Sequence, residues 1–85
     1  MAVTVVSGSD SSVTILASNG SRKNAQVFND STAVLYLLCA DAAASATAYT
    51  IKMSAGALYE VPFGYTGIIK GIWASATGAA RVTET

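Results

Sequence analysis

Turn-forming clusters interrupt this chain, most of them about ten residues apart, and no other feature restricts its fold as strongly. They read Ser7-Gly8-Ser9-Asp10, Ser18-Asn19-Gly20-Ser21, Asn29-Asp30-Ser31, Ser54-Ala55-Gly56, Phe63-Gly64-Tyr65-Thr66-Gly67 and Ala76-Thr77-Gly78. The runs between them are rich in β-branched and aromatic residues and are about as long as an ordinary strand. Eight strands are predicted, over residues 3–6, 12–16, 25–29, 34–40, 49–53, 58–61, 68–73 and 80–83. The expected fold class is all-β, an antiparallel β-sandwich or jelly-roll-like small barrel of about eight short strands.

Within these runs the facing of individual residues is legible. Tyr49, Ile51 and Met53 point one way while Thr50 and Lys52 point the other, as a half-buried strand requires. Residues 34–39 are apolar on both faces, which fits a central strand or one covered by a neighbouring subunit. Ile68 and Ile72 flank Lys70 on one face of the next-to-last strand, and Ile69, Gly71 and Trp73 form the other. The alanine-rich segment 41–48 is read as a loop or bulged crossover, since so short a helix is marginal alone.

At 85 residues there is room for one core and not two. Residues 1–10 are assigned to an N-terminal strand or arm, and residues 11–85 to a single β-sandwich domain. The stretch Ala2-Val3-Thr4-Val5-Val6 is apolar and β-prone, so it serves either as a first strand or as an arm that adds a strand to a neighbour. The apolar share of 52% includes sixteen alanines, so the excess of large apolar side chains is modest.

Only 12% of residues are charged, with five cations and five anions. Arg22 and Lys23 are the only adjacent cations, so no basic face tracks a phosphate backbone and no nucleic-acid partner is expected. One cysteine and no histidine exclude the usual zinc spacings and a Cys-His nucleophile. Cys39 is expected to be a small buried apolar residue. Asp10, Asp30, Asp41, Glu60 and Glu84 are scattered, and Gly64 and Gly67 precede a strand rather than a phosphate-holding helix, so they are assigned to turns with positive φ. No enzymatic activity, metal or cofactor is expected. The start lacks a cationic leader and no apolar run reaches membrane-span length, so a soluble chain made in the cytosol, without a membrane partner, is expected.

What remains is surface. Phe28, Tyr49 and Trp73 are expected to be at least half buried, whereas Tyr65 is a candidate partner contact at a turn. The interface candidates are Val3, Val5, Tyr36, Phe63, Tyr65, Ile68 and Ile72.

Several motifs also carry a resemblance. Arg22-Lys23-Asn24 leading to Asn29-Asp30-Ser31-Thr32 and Leu35-Tyr36, then Tyr59-Glu60-Val61-Pro62 with Gly64-Tyr65-Thr66-Gly67, and Gly71-Ile72-Trp73-Ala74, resemble small virion proteins of tailed bacteriophages. The size and β-rich pattern resemble head decoration proteins. The resemblance implies a structural protein made in the host cytoplasm and placed on the capsid surface. There it would act as a decoration or cementing protein bridging major capsid proteins, commonly as a trimer. The alternatives are a neck or tail accessory subunit and a glycan-binding adhesion module on the particle.

Overall fold

The structure, a computed structural model, describes residues 2–62 and 64–85. Eight strands form: β1 Ala2–Ser7, β2 Val13–Leu16, β3 Ala25–Asp30, β4 Leu35–Leu38, β5 Ile51–Met53, β6 Leu58–Glu60, β7 Ile69–Trp73 and β8 Ala79–Glu84. Each coincides with one expected from the sequence, and there is no helix among the described residues. The alanine-rich segment is a loop, tied down where the Ala44 amide donates to Ser12 Oγ at 2.9 Å.

All the pairings are antiparallel, in two four-stranded sheets of order β1-β8-β3-β6 and β2-β7-β4-β5. The first strand pairs with the last, the second with the seventh, the third with the sixth and the fourth with the fifth. The chain is thus one long hairpin whose arms lie side by side, and the β3–β8 and β4–β7 pairings roll that hairpin into two layers. This is the jelly-roll arrangement.

Alternation decides which residues fill the space between the layers. Ala25, Val27 and Asn29 of β3 point inward with Ala80 and Val82 of β8, and they meet Leu35, Leu37, Met53, Ile69 and Trp73 of the opposite sheet. Trp73 is 1% exposed, and the half-buried Phe28 lies on the outer face of its sheet. Gly71 sits in this layer because β2 and β4 crowd it: a Cβ there would stand 2.7 Å from Ile15 Cγ1 and 3.3 Å from Leu35 Cδ1.

Two polar side chains pin opposite ends of the sandwich. Asn29, fully buried in β3, crosses from one sheet to the other. Its amide nitrogen lies 2.9, 3.2 and 3.1 Å from the carbonyls of Ala33, Met53 and Ser54, and its Oδ1 accepts the Ser31 hydroxyl at 2.7 Å and the Trp73 indole N–H at 3.3 Å. Of the Asn29-Asp30-Ser31 cluster, expected to form a turn, Asn29 and Asp30 complete β3, and the reversal begins at Ser31.

At the other end lies Arg22, whose side chain is 1% exposed. It donates from Nε to Glu84 at 2.6 Å, from Nη1 to the carbonyls of Tyr65 and Gly67 at 3.3 and 3.0 Å, and from Nη2 to the Ala17 carbonyl at 2.7 Å. One guanidinium therefore holds the β2–β3 loop, the β6–β7 loop and the end of β8 together.

Candidate interaction surface

Two of the cross-strand rows of outward-pointing residues on the first sheet carry its exposed apolar groups. One runs Val3, Thr83, Gln26, Glu60, and the next runs Val5, Arg81, Phe28, Leu58. Apolar side chains stand at both margins: Val3 is 67% exposed and Val5 57% on β1, and Leu58 is 58% exposed on β6. Thr4, on the other face of β1, is exposed too, so this part of the strand overhangs the second sheet. The sequence left two roles open for the N-terminal stretch; here it is a strand, paired with β8 along its whole length.

The outer face of the second sheet carries a different set. Ile72, Tyr36 and Lys52 share one row, and Leu38, Lys70 and Thr14 share another. The Tyr36 ring lies 5.1 Å from that of Tyr49 at an interplanar angle of 51°. Tyr49 keeps 41% of its surface, and its ring meets Tyr36 on the outer face because the alternation ends at Thr50, where β5 begins one residue later. Lys70 does not remain free, since its Nζ donates to Thr14 Oγ1 at 3.1 Å.

The β6–β7 turn differs from expectation. Gly64 has φ +90°, but Gly67 is not in the left-handed region. It is glycine because the Tyr65 ring folds over it: a Cβ there would lie 2.7 Å from the phenolic oxygen. Tyr65 accordingly does not project as a contact. Its hydroxyl donates to the Ile68 carbonyl and its ring packs on the core, leaving Ile68 half-buried beside it. Phe63 lies outside the described residues.

The interface candidates thus fall into three places. Val3 and Val5 lie on one sheet, Tyr36 and Ile72 are direct neighbours on the other, and Tyr65 and Ile68 belong to the packed turn. Leu58 and Tyr49, which complete the two exposed faces, were missed; the alternation of residues 58–60 held the signal for Leu58. A groove of about 360 Å³ runs along the first sheet, lined by the polar Asn24, Gln26, Glu60, Thr83 and Thr85 and by the apolar Ala25 and Val61. The aromatic pair Tyr36 and Tyr49 stands on the opposite sheet from this groove.

Among the described residues, no three His, Cys, Asp or Glu side chains group to hold a metal ion. Cys39 is half-buried against the core rather than fully buried. Burial pushes the Tyr59 hydroxyl above its ordinary value of 10.0, and the neighbouring Cys39 adds to the rise. The folded state therefore keeps this proton to higher pH than the unfolded chain does. Its contribution to stability is complete below about pH 10 and declines as pH rises through the raised value. Urea unfolding midpoints should fall above that pH, and Tyr59→Phe should flatten the fall; an equal slope in both proteins would contradict the assignment.

Comparison with protein-family models, curated proteins and solved structures finds no match.

Proposed function

We propose that this domain is a structural protein of a tailed-bacteriophage particle that binds the outside of the capsid and bridges major capsid proteins. The observation that carries the reading is the outer face of the first sheet, where Val3, Val5 and Leu58 stand exposed around the half-buried Phe28. Apolar residues on a rigid sheet, in a chain without net charge, suit a permanent contact with a neighbour better than a freely diffusing life. The resemblance of the RKN, NDST, YEVP and GIWA motifs to phage virion proteins supplies the partner. As a clamp, the module adds contacts that must break before capsomers separate under the outward pressure of packed DNA, and many copies act together.

The test is sedimentation of purified protein with particles that lack it. Binding should saturate at a copy number that follows the capsid lattice, and the loaded particles should resist heat and chelators better. Leu58→Glu, a change at an exposed position, should weaken this binding while leaving the fold intact. Absence of binding refutes the proposal, and a copy number fitting a single ring relocates the protein to the neck or tail.

A further inference from the structure

We infer that the free edge of β1 is the seam of a homodimer, in which two β1 strands pair antiparallel about a two-fold axis at Thr4.

The sandwich has four edge strands, β1, β6, β2 and β5. An edge presents unpaired N–H and C=O groups to any passing strand, and folded proteins blunt it with charge, proline, a bulge or shortness. Three of the four edges here are blunted. β2 carries a register shift between Thr14 and Leu16. β5 has three residues with the exposed Lys52 at its centre. β6 also has three, ends on the exposed Glu60 and is followed at once by Val61 and Pro62. β1 has none of these devices. It is six residues long, AVTVVS, without charge or proline, and its register with β8 is unbroken. Exposure of Val3 and Val5 on one face and Thr4 on the other means that neither face of its N-terminal half is covered.

The unpaired edge requires an extended strand as its occupant, and the residues of β1 select a second copy of itself. Antiparallel pairing centred on Thr4 sets Val3 opposite Val5 of the other copy, Val5 opposite Val3, and Thr4 opposite Thr4. The four exposed valines then lie side by side on one face. β-Branched and Thr–Thr cross-strand pairs of this kind are favourable. Centring on Val5 instead would set Val3 against Ser7 and leave one valine–valine pair, Val5 against Val5, in place of two.

Charge agrees with the same register. Val5 continues into Arg81 of its own β8, while Val3 of the copy continues into Thr83 of its own. Each row therefore holds one arginine from one subunit and a threonine from the other, with no like charges in line. The result joins two four-stranded sheets into one continuous sheet with both outer faces on the same side. This pairing lies on the opposite sheet from Tyr36 and Ile72 and differs from the threefold assembly that the resemblance implies.

The experiment is the mass of the free protein by light scattering and sedimentation up to millimolar concentration. The native chain should reach the mass of two chains, and Val5→Lys, placing charge at an already exposed position, should remain at one with an unchanged circular dichroism spectrum. In a Cys39→Ala background, oxidation should link Thr4→Cys into dimers. Ser7→Cys should not link, because its two copies would stand about 20 Å apart along the seam. A native protein that stays monomeric, a mass of three chains, a dimer that survives Val5→Lys, or equal cross-linking of the two cysteine variants overturns the inference.

Discussion

Asn29→Ala is expected to lower the unfolding free energy by about 4 kcal/mol, near the top of the range for single substitutions. The side chain is 0% exposed, and its contacts with Trp73, Ala33 and Met53 are buried with it, so those partners have no water to turn to. Truncation strands the indole N–H of Trp73 and removes the donor shared by the carbonyls of Ala33, Met53 and Ser54, whereas the Ser31 hydroxyl keeps the Ala33 carbonyl at 3.0 Å as an acceptor. A buried group that loses its hydrogen bond costs about 1–3 kcal/mol, and here several lose theirs at once. A domain of this size has about 4–13 kcal/mol in all, so the variant should lose about a third or more of its stability. Trp73 is the only tryptophan and reports on the site directly. Its fluorescence during urea unfolding measures the loss, and a change below about 1 kcal/mol would show that the network contributes little beyond its geometry. Asn29→Asp sharpens the test. It keeps the acceptor for Trp73 but sets a carboxylate against three carbonyl oxygens, and it should be no more stable than the alanine variant.

The strands and their facing were legible because they rest on local chemistry. Ile69, Gly71 and Trp73 alternate with Lys70 and Ile72, and a strand needs nothing more to tell in from out. What stayed hidden depends on partners far along the chain. Asn29 stood in the sequence where a strand over residues 25–29 meets the turn vocabulary Asn-Asp-Ser, yet its role is set by Met53 and Trp73, 24 and 44 residues away. Gly67 looked like a positive-φ turn glycine, but the constraint comes from the Tyr65 ring folding back over it. The candidate surface divides in the same way. That Val3, Val5, Tyr36 and Ile72 have apolar character on an outward face follows from pattern. That the first two lie on one sheet with Leu58 at its far margin, and the last two on the other with Tyr49 against Tyr36, follows only from register.

Arg22 brings these arguments to a quantitative comparison, because the molecule holds two arginine–carboxylate pairs of nearly equal length that differ in burial. Arg22 Nε stands 2.6 Å from Glu84 with side chains 1% and 18% exposed, and Arg81 Nε stands 2.7 Å from Asp30 with side chains 57% and 47% exposed. Coulomb attraction at equal separation would make them equivalent. Solvent decides otherwise: the exposed pair is screened and exchanges readily for water, so Arg81→Met should cost less than about 1 kcal/mol. Arg22→Met should cost about 3–5 kcal/mol, since it leaves Glu84 short of a counter-charge and removes the donor from the carbonyls of Ala17, Tyr65 and Gly67. Lysine will not repair it. An ammonium supplies one point of charge where the fork of a guanidinium reaches three segments of chain, so Arg22→Lys should recover only part of the loss. Adding Glu84→Gln to Arg22→Met should be less damaging than the sum of the two single changes, because the stranded carboxylate is then gone. Urea unfolding of the four proteins of that cycle, alongside Arg81→Met, checks the assignment. Equal losses for Arg22→Met and Arg81→Met would mean that burial of the guanidinium does not determine its worth and that the β2–β3, β6–β7 and β8 ends are held by their own backbone bonds.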